Sequence, residues 1–154
     1  MAVEVGDSAP DFELMDQNGA LVKLSDFRGD RNVVLVFFPL AFSGICEGEL
    51  CSIRDELADL VGGSGDVQVL AVSVDSFFTH KAWADQQGYK FPLLADFWPH
   101  GAVAKSYGIL EENRGVAKRG TFVIDKQGVV RWSVVNGIPD ARDTGAYRAA
   151  LDNL

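Results

Sequence analysis

The run Asn32–Phe38, Asn-Val-Val-Leu-Val-Phe-Phe, restricts the architecture more than any other part of the chain. A strand with one wet face alternates apolar and polar residues. A β-branched and aromatic run without alternation belongs in a sheet covered on both faces. Val67–Val74 is a second run of this kind. Between them Leu50, Ile53, Leu57 and Leu60 fall at helical spacing, and Gly62-Gly63-Ser64-Gly65 closes that helix.

The rest of the chain extends this pattern. Phe12–Leu14 and Leu21–Leu24 flank Gln17-Asn18-Gly19 and predict an N-terminal hairpin. Ser76 to Gln87 reads as a helix stopped by Gly88, Phe91–Leu94 as a short extended segment, and His100–Tyr107 as a helix closed by Gly108. Thr121–Ile124 and Val129–Val135 form a second predicted hairpin around Asp125-Lys126-Gln127-Gly128, and Asp140–Leu154 reads as helical. Strands alternating with helices and ending in a hairpin predict an α/β fold with a central mixed sheet and helices on both faces. With 154 residues and no linker or repeat, residues 1–154 are expected to form one domain.

The net charge of −8 repels phosphate backbones, which argues against nucleic acid as a partner. The longest apolar run, Val33–Phe42, is broken by Pro39 and has about half the length of a membrane span. The opening Met-Ala-Val-Glu-Val-Gly-Asp lacks the basic and apolar regions of a secretory signal, so a cytoplasmic location is expected. In a reducing compartment the chain's two cysteines, Cys46 and Cys51, are more often reactive or metal-binding than structural. His80 and His100 are the only histidines, and their spacing from the cysteines fits no common zinc pattern, so no metal site is expected.

Cys46 is placed where a thiol becomes reactive. The strand ends at Phe38, Pro39 blocks its continuation, and a helix is predicted to open near Ser43–Ile45 with Cys46 in its first turn. The N–H groups and dipole of a helix start favour a thiolate over a thiol. Full ionisation alone gains about thirtyfold at neutral pH, and the lower basicity returns part of that. Fast chemistry therefore needs groups that stabilise charge developing on a substrate. Ser43, three residues earlier, can set its hydroxyl beside the sulfur; it can equally serve as a helix N-cap. A buried, inert cysteine is the competing reading for Cys46.

Pro39-xxx-Ser43-xx-Cys46 resembles the Pro-xxx-Thr/Ser-xx-Cys signature of the peroxiredoxins, thiol peroxidases with a thioredoxin-like fold. Arg119-Gly120-Thr121-Phe122-Val123-Ile124-Asp125 is similar to the family's later segment, and Gly6–Phe12 to its N-terminal hairpin. Phe37–Cys46 and Asp96–Gly101 resemble the AhpE branch, whereas a second cysteine five residues on, Cys51, resembles the PrxQ (bacterioferritin comigratory protein) branch. The resemblance implies reduction of hydrogen peroxide and organic hydroperoxides by Cys46 through a sulfenic acid. It implies that Ser43 hydrogen-bonds the peroxide, that Arg119 stabilises thiolate and transition state, and that Pro39 shields the sulfur. It further implies thioredoxin, or mycothiol with mycoredoxin, as reductant, and a homodimer.

For Cys51, helix geometry sets a condition. Residues five apart in an α-helix lie roughly 8–9 Å apart at Cα, beyond the approximately 7 Å reach of a disulfide. A Cys46–Cys51 bond therefore requires the first turns to unwind, which Gly44 and Gly48 make easier. Otherwise Cys51 is an incidental thiol and an external thiol recycles Cys46. Glu49, one turn beyond Cys46, either orients Arg119 or is simply solvated. Phe97, Trp98 and His100 are read as an aromatic wall or subunit contact, with core packing the alternative, above all for Phe97; His80 is expected on a helix surface. A non-enzymatic redox sensor remains a second class of function; a disulfide reductase is disfavoured because no Cys-x-x-Cys pair is present.

Overall fold

The computed structural model describes residues 2–56 and 66–154. Its strands are β1 (Glu13–Met15), β2 (Leu21–Lys23), β3 (Asn32–Phe37), β4 (Val67–Ser73), β5 (Leu93–Ala95), β6 (Leu110–Glu111), β7 (Val116–Ala117), β8 (Arg119–Ile124) and β9 (Val130–Asn136). Its α-helices are α1 (Gly44–Glu56), α2 (Phe77–Gln87), α3 (Ala102–Ser106) and α4 (Gly145–Asp152). Seven strands make one sheet in the order β2-β1-β5-β4-β3-β8-β9, and β6 pairs with β7 in a small separate ribbon. The pairs β3–β4 and β4–β5 are parallel, while β3–β8, β8–β9, β1–β5 and β1–β2 are antiparallel. The sheet is mixed, as the sequence pattern predicts.

The central run serves two cores at once. Val33, Leu35 and Phe37 point into one apolar cluster with Leu70, Val72, Tyr107 and Phe122. Val34, Val36 and Phe38 point into the other, with Cys46, Leu50, Ile53, Trp83 and Tyr147. Successive strand side chains alternate faces, so a continuous apolar run is what a doubly covered strand requires. Helices α1, α2 and α4 cover the second face, and α3 with the N-terminal segment covers the first. Ser76 caps α2 by accepting from Thr79 N–H, and Gly88 ends it at φ 72°, a left-handed turn natural to glycine.

Two expectations are corrected. His80 is not on a helix surface: it is fully buried on α2, its ring packed 6.0 Å from that of Phe38. Burial pays off there because Ser73 sits within hydrogen-bond reach of its Nε2. Phe97 is not core either, being 54% exposed, because it lines an open surface cavity with Leu14, Leu21 and Phe77. The final helix starts at Gly145 rather than Asp140. Residues 137–142 instead form a loop that brings Ile138 O to Arg119 and the Arg142 side chain to Glu49. Leu57, Leu60 and Gly62–Gly65 lie outside the described residues.

Candidate active site

Pro39 follows β3, a tight segment runs to Ser43, and α1 opens at Gly44, so Cys46 lies in the first turn of the helix. The apolar stripe Cys46, Leu50 and Ile53 faces the sheet, and all three are fully buried. Arg119, the first residue of β8, reaches across β3 and sets its Nη1 3.2 Å from Cys46 Sγ. A cavity of about 350 Å³ opens above them, lined by Pro39, Ser43, Arg119, Ile138 and Pro139 among others. Four residues singled out in the sequence thus converge, with Cys46 beneath the cavity. Ser43 points its hydroxyl at Leu40 O, 2.8 Å away, rather than capping α1 or touching sulfur.

Glu49 is buried and is the hub of the site's charge. It accepts from Arg119 Nη1 at 2.6 Å and from the Arg142 side chain at 2.9 Å on both oxygens, and Arg142 N–H adds a fourth bond at 2.7 Å. Burial acts to raise the Glu49 carboxyl, but the hydrogen bonds and charge of Arg142, with Arg119 behind them, hold it below the ordinary carboxylate value. Arg142 also donates to the carbonyls of Phe37 and Gly120, and Arg119 Nε donates to Ile138 O. The guanidinium planes are fixed by backbone on one side and by carboxylate on the other. Two buried cations against one carboxylate leave a surplus positive charge beside the sulfur.

Arg142 is the residue of the candidate site that sequence reasoning missed. It lies in the 137–142 loop, and no local spacing links it to Cys46; a buried partner for Glu49 becomes visible only once the chain is folded.

Cys51 is not brought to Cys46. Glu47, Cys51 and Arg54, spaced i, i+4, i+7, form a different stripe of α1 that faces the end of α2. The Cys51 thiol donates to Gln87 Oε1 at 3.6 Å and lies 3.4 Å from Tyr89 OH. Gln87 donates in turn to Glu47 Oε1 at 2.9 Å, and Arg54 donates to Gln87 O. Burial first, then the hydrogen bond with Cys51, push the Tyr89 hydroxyl above its ordinary value. Both cysteines are free.

Phe97 and Trp98, the latter 82% exposed, line a separate apolar cavity of about 480 Å³ with Leu14, Leu21, Phe77 and Phe78. His100 hydrogen-bonds Gly115 O, 2.6 Å away, beside the β6–β7 ribbon. These residues form no wall of the Cys46 cavity. Among the described residues, no group of three or more His, Cys, Asp or Glu could hold a metal ion. No helix among them is long and apolar enough to cross a membrane.

The pattern of the AhpC/TSA family matches residues 5–133. Alkyl hydroperoxide reductase E of Mycobacterium tuberculosis is 50% identical over 152 residues, covering 99% of this chain and 98% of that protein. The chloroplastic 2-Cys peroxiredoxin BAS1 of Spinacia oleracea is 38% identical over 160 residues, 97% of this chain and 59% of the relative. Among solved structures, AhpC of Enterococcus faecalis superposes with a TM-score of 0.86 at 30% identity, over 99% of this chain and 92% of that one. Peroxidoxin BcpB of Mycobacterium tuberculosis superposes at 0.81 and 31% identity, over 96% and 94%. Sequence pattern, full-length identity and shared fold agree: the chain belongs to the AhpC/TSA family of peroxiredoxins and is a thiol peroxidase.

Proposed function

We propose that Cys46 is the peroxidatic nucleophile, acting on hydrogen peroxide and organic hydroperoxides. The observation that carries this reading is the Cys46–Arg119–Glu49–Arg142 cluster beneath the Pro39–Ser43 cavity. The two arginines against one carboxylate place positive charge 3.2 Å from Cys46 Sγ, where negative charge on a reacting sulfur and peroxide is stabilised. The thiolate attacks one peroxide oxygen, an S–O bond forms, the O–O bond breaks, and the departing oxygen leaves as water or alcohol after taking a proton. Arg119, fixed by Glu49 and Ile138 O, supplies positive charge where negative charge develops on the departing peroxide oxygen. Pro39 walls the sulfur, and Ser43, which lines the cavity, meets the peroxide once its hydroxyl leaves Leu40 O.

We assign Cys51 as the resolving cysteine. Its thiolate attacks the Cys46 sulfenic acid, a disulfide forms, and hydroxide leaves as water with a proton; a thiol reductant then returns both cysteines to thiols. The first turns of α1 must unwind, and the Glu47–Cys51–Arg54 stripe must leave Gln87 and Tyr89. That same stripe favours a second reading, in which Cys51 stays in its niche and an external thiol reduces the sulfenic acid. Thioredoxin suits the first route, mycothiol with mycoredoxin the second. A cytoplasmic site of action follows either way from the need for such reductants. Pairing of two copies would cover Phe78 and Trp98, which are exposed.

One experiment separates these readings. The reduced protein receives one equivalent of hydrogen peroxide and is quenched within seconds for intact mass and free-thiol count. Loss of two mass units and both thiols supports Cys51 as resolver; a gain of 16 with Cys51 free selects the external thiol. An unchanged protein would sink the peroxidatic role of Cys46 and leave it a sensor or core residue.

A further inference from the structure

The segment that walls the Cys46 cavity is held from outside the cavity. Phe42, within that segment, sits at φ 65°, a left-handed conformation uncommon for any residue with a side chain. Its neighbour Ala41 donates its backbone N–H to Asp75 Oδ2 at 2.8 Å. The same carboxylate oxygen accepts from Ser73 Oγ at 2.6 Å, and Ser73 Oγ lies 2.6 Å from His80 Nε2. Ser73 has one hydroxyl hydrogen, given to Asp75, so its lone pairs accept from His80 Nε2–H and from Asp75 N–H. Burial, opposed by the charge of Asp75, pushes His80 down to about 4, which leaves the ring neutral with one hydrogen to give. Hydrogen bonds therefore run in one direction, from a fully buried histidine through serine to a carboxylate whose outer bond ends on the cavity segment. Phe42 leans on Trp83, 5.9 Å between rings, and Ser43 Oγ closes on Leu40 O. None of Ser73, Asp75 and His80 lines the cavity or touches Cys46.

We propose that Asp75, oriented by Ser73 and His80, is a positioning residue for the peroxidase reaction: by accepting the Ala41 N–H it holds the Pro39–Ser43 segment in the conformation that receives the peroxide. The inference rests on the reading of Pro39, Ser43 and Cys46 as the peroxide site. Asp75 acts through the backbone of Ala41, so its loss disturbs peroxide binding and leaves the Cys46–Arg119–Glu49 cluster in place.

The test compares two rates at Cys46 in the full chain: oxidation by hydrogen peroxide, and alkylation by iodoacetamide followed by mass at the Cys46 peptide. Alkylation needs the thiolate but not the peroxide pocket. Asp75→Ala is expected to slow peroxide oxidation at least tenfold while alkylation stays equal or rises as the segment loosens. Asp75→Asn, whose carbonyl oxygen can still accept the Ala41 N–H, is expected to recover the rate to within threefold of wild type. Should Asp75→Ala fail to fold, Asp75→Ser, too short to reach Ala41, carries the same expectation. A peroxide rate within twofold of wild type, a parallel fall of both rates, or an Asn variant as slow as the Ala variant would overturn the proposal. A wild-type protein whose Cys46 does not react with peroxide would instead sink the parent reading.

Discussion

Replacing Glu49 by glutamine tests the hub of the site with almost no change of shape. The carboxylate accepts four hydrogen bonds, one from Arg119 and three from Arg142. Glutamine keeps one accepting oxygen and turns the other position into a donor, so about two of those donors lose their partner in a site closed to water. An unpaired buried donor costs about 1–3 kcal/mol, and breaking a buried ion pair about 3–5 kcal/mol; the two routes agree on about 4 kcal/mol. For a chain of this size that corresponds to a fall of roughly 8–16 °C in Tm. The sign of the pH dependence is also set. Glu49 is held below its ordinary value of 4.5 in the fold, so its stabilisation is complete above that value and is lost as pH falls through the lower, folded one. Thermal melts of wild type and Glu49→Gln should therefore differ by a constant gap from pH 8 to about 6, and the gap should close in acid. A variant that melts within 2 °C of wild type at pH 7, or a gap that stays constant down to pH 3, would refute the reasoning.

Other outcomes follow from the same geometry. Cys51→Ser should turn the two-unit mass loss after one equivalent of peroxide into a gain of 16, measured on the intact protein. Tyr89→Phe removes one bond to the Cys51 thiol; since such a bond is worth about 0.5–1.5 kcal/mol, disulfide formation should accelerate roughly 2–10-fold with Cys46 oxidation unchanged, read as two phases of tryptophan fluorescence. His80, pushed down to about 4 by burial with Asp75 opposing, should show a flat imidazole proton shift by NMR from pH 8 to about 5. Because the unfolded chain takes up this proton near 6.5, stability should fall as pH drops from there toward 4, by about 3 kcal/mol over the window.

Much of this molecule is written in local patterns. The Asn32–Phe38 run demands a doubly covered strand, because no other setting removes both faces from water, and β3 is indeed shared by two cores. The break at Pro39 and the Cys46–Leu50–Ile53 stripe place a cysteine at a helix entrance against the sheet, since both depend on neighbours within a few residues. Glu49 shows where such reasoning stops. A carboxylate on a helix is ordinarily wet, and its burial depends on Arg119 and Arg142, 70 and 93 residues away. Those partners arrive because β8 pairs with β3 and the loop after β9 folds back over them. His80 follows the same logic: its acceptor, Ser73, ends the neighbouring strand β4, and no periodicity in α2 announces it. Cys51 sits in its niche because the end of α2 lies against α1. Burial of apolar surface has a period and can be read along the chain, whereas the pairing of buried charges and thiols depends on which distant segments the sheet order makes neighbours, and only the folded structure supplies that.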